Sequence, residues 1–125
     1  LCRDIVARAR ALAGSGDIAG PVDTAGLHDL PELADRVARA RVLVCGDTGV
    51  AHLATAFRTP SVLLFGPTSP HRWGPAVDPD LHAVLWHGDP AHPGDPHGVD
   101  VDPALAAIDV GQVRAAVAVA PMPPA

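Results

Sequence analysis

The chain has 125 residues, 48% of them hydrophobic, with two Trp and two Phe as its only aromatics, nine cationic residues that are all arginine, and a formal charge of −5. That length suits one α/β domain or half of a two-lobed enzyme, with a single core of small aliphatic side chains. The acidic balance argues against tracking a nucleic-acid backbone or binding an anionic membrane, and no apolar run approaches the roughly 20 residues that span a bilayer, so a soluble cytoplasmic protein without a transmembrane segment is expected.

In chain order, Leu1, Ile5, Arg8 and Leu12 mark one face of a helix, with Gly14 as its stop signal and Ser15 and Gly16 as a turn. The helix opens at Leu1 without a cap, which leads to the expectation that the chain is N-terminally truncated. Val22 to Thr24 is a candidate strand in a stretch rich in turn formers. Asp29 and Glu32 have capping-box spacing, and Leu30, Leu33, Ala34, Val37 and Ala38 form the apolar stripe of a second helix. Val42 to Cys45 and Ser61 to Phe65 are short apolar runs of the kind that form strands buried on both faces. Cys45 reads as a small hydrophobe there, since it has no CxxC partner.

Between those runs, Val50, Leu53, Ala54 and Phe57 repeat at helical spacing, and Pro60 prevents continuation. Strand, helix, strand at this length predicts a βαβ unit with parallel strands. Two loops, Gly46-Asp47-Thr48-Gly49 and Gly66-Pro67-Thr68-Ser69-Pro70, should then meet at the strands' C-terminal edge, where ligands of open α/β sheets bind. Past Pro75, Leu81 to Trp86 is the one further strand and Gly88 to Asp102 a long loop. Pro103 opens a helical turn. Asp109 and Gln112 form a second capping box, with Val110, Val113 and Val117 facing the core, and residues 121–125 are expected to be a disordered tail.

The GDTG loop runs directly into a helix, whose unpaired N–H groups and positive dipole end suit a phosphate or pyrophosphate. Asp47 or Thr48 as a simple helix cap between two turn glycines explains the same four residues. His52 lies roughly 200° around the helix from Val50, off the buried stripe, where its imidazole either meets a ligand or faces solvent. His82, His87, His92 and His97 recur every five residues, a spacing that matches neither helix nor strand and completes no known coordination set. No GxSxG elbow is present.

Residues 42 to 75, VLVCGDTGVAHLATAFRTPSVLLFGPTSPHRWGP, strongly resemble the D-T-G-x-x-H-x-A … T-P … L-F-G-P-T-x-P segment of the bacterial heptosyltransferases, glycosyltransferase family 9. Ala25 to Ala38 looks like the family's "AG, helix, L-x-E-L-A" element, with His28-Asp29 where the family usually has Thr-Ser, and Leu105 to Val117 resembles its closing helix. The resemblance implies a Rossmann-like parallel sheet flanked by helices, the C-terminal donor-binding lobe of a GT-B glycosyltransferase, over residues 1–120. It implies a nucleotide-diphospho-sugar donor of the ADP-heptose kind, a saccharide or lipopolysaccharide-type acceptor, and no metal or other cofactor. By the family's pattern Asp47 contacts the donor sugar, the backbone of Thr48 and Gly49 the diphosphate, His52 supports the same site, and Gly66, Pro67 and Thr68 line its wall. The catalytic base belongs to the N-terminal lobe, so no residue here is expected to be catalytic and this lobe alone should be inactive. A non-catalytic nucleotide-binding or interaction module of the same fold is the competing reading.

Overall fold

The computed structural model describes residues 2–12 and 20–124, so Gly14, Ser15 and Gly16 lie outside the described residues. The chain divides into two compact units, Leu1–Leu33 and Ala34–Ala125. In the first, helix α1 spans Cys2–Leu12. Its half-buried positions are Val6 and Ala9, the latter on the flank of the expected face, whereas Ile5 is 56% exposed and Arg8 is exposed; Leu1 lies outside the described residues. The candidate strand at Val22 to Thr24 is not formed. Its residues lead into a turn in which Asp23 Oδ1 accepts the Ala25 N–H, Thr24 O accepts the Leu27 N–H, and Gly26 takes φ 73°; the local Asp and Gly chemistry prevails over a three-residue strand signal. The capping box forms as expected. Asp29 Oδ1 accepts the Glu32 N–H at 2.9 Å and Glu32 Oε2 accepts the Asp29 N–H at 3.2 Å, opening helix α2 at Leu30–Ala38.

The second unit is built on three parallel strands, β1 Leu43–Gly46, β2 Ser61–Leu64 and β3 His82–Leu85, in spatial order β1-β2-β3. Strand β2 is central and carries the core, with Val62 0% and Leu63 2% exposed. Strand β1 departs from the expectation: Val44 is 43% exposed, because among the described residues β1 has a partner on one side only. Helix α3, Gly49–Ala56, connects β1 to β2 and packs on both. Its buried residues are Ala51 and Ala54, two small side chains that let the helix backbone come close to the sheet, while Val50 and Leu53 are half-buried. Phe57, expected in the stripe, is 46% exposed; it falls one residue past the helix, where the chain is already turning.

That turn is a Schellman stop. The Thr59 N–H donates to Ala54 O and the Arg58 N–H to Thr55 O, with Arg58 at φ 56° in the left-handed position that glycine usually takes. The Arg58 side chain reaches Asp78, itself at φ 49°, at 2.9 Å. The core cluster comprises Ala51, Leu63 and Phe65, joined by Cys45 and Trp86. Phe65 is 1% exposed, and burying a side chain of that kind is worth about 1.5–3 kcal/mol. Helix α4 (Pro70–Trp73) and a 3₁₀ turn at Pro79–Leu81 precede β3. Helices α5 (Pro103–Ala106) and α6 (Val110–Val119) follow the long loop, α6 opening on the Asp109–Gln112 capping box in both directions. Val113 and Val117 are half-buried as expected, but Val110, the first residue of α6, is 74% exposed.

Candidate functional site

Because Gly46 pairs with Leu64 at the ends of β1 and β2, the loops that follow both strands leave the sheet at the same edge. The first loop delivers α3. Thr48 is its N-cap residue, with extended backbone (φ −146°, ψ 169°), but its side chain makes no capping hydrogen bond; the Ala51 N–H closes on Thr48 O at 3.0 Å, and the N–H groups before it in the turn have no side-chain cap. The Thr48 hydroxyl instead bonds the Cys45 thiol, whose pKa is raised by burial and by the nearby Asp47 carboxylate, the Thr48 bond acting in the opposite direction. Cys45 packs against the core as a partly buried side chain. A methyl group built on Gly49 meets nothing within 4 Å, so the approach to the helix start is open.

Asp47, Pro67, Thr68 and Ser69 line one cavity of about 420 Å³, a size that accepts a sugar with a phosphate group. Its far wall comes from the long loop, through Pro90, Pro93 and Pro96. That loop is fixed at Gly94, which has Pro67 and the Asp102 carboxylate so close that any side chain would collide with both. A neighbouring cavity of about 280 Å³ shares Pro67 and Gly94 and includes Gly66, Trp86 and His87. Trp86 Nε1 donates to Gly66 O at 2.9 Å, tying the end of β3 to the second loop, and His87 bonds Gln112 of α6.

Of the seven residues singled out in the sequence, the structure thus brings Asp47, Pro67 and Thr68 together around one space and places Gly66 beside it. Thr48, Gly49 and His52 are exposed on the first turn of α3 and are not part of either cavity's lining. Arg72 and Trp73 of α4 belong to the lining as well, and sequence reasoning missed them by treating residues 66–70 as loop only. The signal was present: Ser69-Pro70 is a cap followed by proline at the first helical position, and the Ser69 hydroxyl does accept the His71 N–H.

The four regularly spaced histidines serve separate ends. His82 is buried against Ser61 Oγ at 2.8 Å, His87 meets Gln112, His92 meets Asp89 at 2.8 Å, and His97 is exposed. Among the described residues no three His, Cys, Asp or Glu side chains are placed to hold a metal ion. No helix among them is long and apolar enough to cross a membrane. The first unit contains its own cavity of about 470 Å³, which includes Val22, Gly26 and His28 and none of the seven residues.

Comparison with known proteins places these features in a family. Residues 4–92 match the model of glycosyltransferase family 9 (heptosyltransferase). The chain is similar to lipooligosaccharide heptosyltransferase 2 of Haemophilus influenzae, with 32% identity over 93 residues, covering 68% of this chain and 27% of the relative. It is also similar to lipooligosaccharide heptosyltransferase 2 of Haemophilus ducreyi, 41% identical over 51 residues (39% of this chain, 15% of the relative). A third relative is lipopolysaccharide heptosyltransferase 1 of Salmonella typhimurium, 41% identical over 64 residues (51% and 19%). The matched part of the chain therefore spans about a quarter or less of the length of these relatives. No solved structure matches it at a comparable level of significance.

Proposed function

Since the chain belongs to glycosyltransferase family 9, we propose that it is the donor-binding lobe of a two-lobed sugar transferase that uses a nucleotide-diphospho-sugar of the ADP-heptose kind. The observation that carries this reading is the meeting of the Asp47 and Thr68 loops around one cavity beside an uncapped helix start. In it, the N–H groups at Thr48 and Gly49 receive the diphosphate, where a helix start contributes roughly 0.3–1 kcal/mol when exposed and up to about 2 when partly buried. Asp47 accepts hydrogen bonds from hydroxyls of the transferred sugar. Thr68 supplies a hydroxyl from the opposite loop, and Gly66 and Pro67 shape the wall between them. His52, exposed at the end of the first turn of α3, supports the phosphate end as a hydrogen-bond donor.

Transfer breaks the bond between the anomeric carbon and the diphosphate oxygen while a hydroxyl oxygen of the acceptor bonds to that carbon. The nucleoside diphosphate leaves with the electron pair, stabilised at the helix start, and the acceptor's proton passes to a base that a companion lobe must supply. The acceptor is a saccharide of the lipopolysaccharide-core type, as the names of the relatives suggest. This lobe alone binds donor and does not turn it over.

The test is calorimetry and a transfer assay on the intact protein with Asp47→Ala. Affinity for the nucleotide sugar should fall at least tenfold while affinity for the free nucleoside diphosphate is kept, and turnover should fall with the first. Equal binding of sugar nucleotide and free phosphate by the unaltered protein, or unchanged turnover in the variant, would overturn the assignment and leave a non-catalytic binding module as the better account.

A further inference from the structure

The polar groups around the 420 Å³ cavity are few: the Asp47 carboxylate, the Thr68 and Ser69 hydroxyls and the Arg72 guanidinium. The rest is proline, glycine and the indole of Trp73. Arg72 and Trp73 sit on the single turn of α4, and that turn is fixed at both ends. Ser69 O accepts the Arg72 N–H at 3.1 Å, Pro70 presets the first backbone angle, and the Gly74 N–H closes on Pro70 O at 2.7 Å. Gly74 lies so close to the Pro70 carbonyl that no side chain fits there, which pins the point where the chain leaves the turn. The backbone that carries the two side chains is thus fixed, while the side chains themselves are not used by the fold. Among the described residues Arg72 forms no ion pair, and Trp73 is 58% exposed with no ring partner. Trp86 is the contrast: its indole N–H is bonded to Gly66 O and it packs on the core.

An exposed indole and an unpaired guanidinium on one fixed turn, lining a space that also holds a carboxylate and two hydroxyls, form a chemically specific set. The indole face suits the C–H face of a pyranose ring, and the planar fork of arginine pairs with phosphate or carboxylate in two parallel hydrogen bonds. We propose that Arg72 and Trp73 are specificity-determining residues of this cavity, Trp73 stacking on the ring of a sugar and Arg72 pairing with an anionic group attached to that sugar. This rests on the donor-site reading and adds to it the class of sugar selected: a phosphorylated or otherwise acidic saccharide. The anionic group is supplied either by the donor's diphosphate or by a phosphate on the acceptor.

The experiment titrates the intact protein, followed by tryptophan emission and calorimetry, with four probes: ADP, a hexose 1-phosphate, an ADP-sugar, and a phosphorylated oligosaccharide. An emission change that survives Trp86→Phe and is abolished by Trp73→Phe is assigned to Trp73. Sugar-bearing probes should alter Trp73 emission and ADP should not. Trp73→Ala should weaken the sugar-bearing probes at least fivefold, with Trp73→Phe recovering part of the loss. Arg72→Gln should weaken phosphate-bearing probes at least tenfold, with Arg72→Lys recovering less than half. A loss that includes ADP identifies the donor diphosphate as the partner of Arg72, and a loss confined to the phosphorylated oligosaccharide identifies the acceptor. Melting curves of Arg72→Gln and Trp73→Phe establish that both fold. Unchanged affinity for all four probes in both variants would overturn the proposal. If Asp47→Ala still abolishes donor binding in that case, the donor-site reading stands without it; if Asp47→Ala has no effect either, both fall.

Discussion

Gly49 separates a ligand-binding helix start from an ordinary helix cap. It is the first residue of α3, its φ is not in the left-handed range, and an added methyl group meets nothing within 4 Å. Gly49→Ala is therefore free of steric cost in the unliganded fold. Removing the glycine's extra freedom in the unfolded chain should stabilise the protein by about 0.4–1 kcal/mol, which raises the melting temperature by a few degrees in a chain of this size. If a phosphate approaches the N–H groups of Thr48 and Gly49, the same methyl group occupies the space it needs. Losing about 1.4 kcal/mol of that contact is a tenfold loss in affinity. The two effects have opposite sign, so one variant reads both. Differential scanning fluorimetry with and without ADP should show the variant melting higher alone and gaining less from added nucleotide than the unaltered protein. A variant that melts higher and is shifted by nucleotide as much as the parent would refute the cradle, and Gly49 would then be a turn residue only.

Two further predictions concern the opposite end of the sheet. His82 is 6% exposed, bonded through Nδ1 to Ser61 Oγ, and its Nε2 has no partner; burial lowers its pKa below the ordinary 6.5, with Asp78 pulling the other way. A depressed histidine pKa means the unfolded chain takes up the proton first, so its contribution to stability is complete above pH 6.5 and is lost as pH falls from there towards the lower folded value. Denaturant midpoints measured between pH 8 and 5 should decline in that window, and His82→Gln should flatten the decline; an equal slope in the variant assigns it to other groups. Thr59 is 1% exposed and its hydroxyl donates to Val37 O at 2.9 Å, joining α2 to the start of β2. Thr59→Val keeps the shape and removes one of the two hydrogen bonds that Val37 O accepts, the Ala40 N–H at 3.1 Å remaining, so chemical denaturation should show a loss of about 0.5–1.5 kcal/mol.

Elements specified by neighbouring residues were legible in the sequence, and those specified by distant contacts were not. Both capping boxes form because the two partners are three residues apart and need nothing else. The three strands that form were found to within one residue at each end because short apolar runs between turn formers are a local signal. Apolar spacing gave α3 its helix but not its orientation: the buried line runs through Ala51 and Ala54, since the approach of helix to sheet is set by the smallest side chains. The exposure of Val44 depends on what lies beside β1, and the failure of Val22 to Thr24 to become a strand depends on Asp23 bonding its own backbone, an outcome that competes with pairing on nearly equal terms.

The candidate site follows the same division. The motif residues Asp47 and Thr68 converge because parallel strands with register Gly46 to Leu64 must end side by side, and a βαβ reading already contains that result. The closing wall does not follow from any motif. It comes from a proline-rich loop more than twenty residues further on, held by the fit of Gly94 against Pro67 and Asp102, a contact with no periodicity to betray it. If that fit sets the width of the cavity, Gly94→Ala should disturb ligand binding more than it disturbs the core, since the cluster of Ala51, Leu63 and Phe65 does not include Gly94. Calorimetry of nucleotide-sugar binding beside a melting curve separates the two: a large loss of affinity with a small loss of stability supports the loop as a wall of the site, and losses in proportion mark it as part of the fold's support.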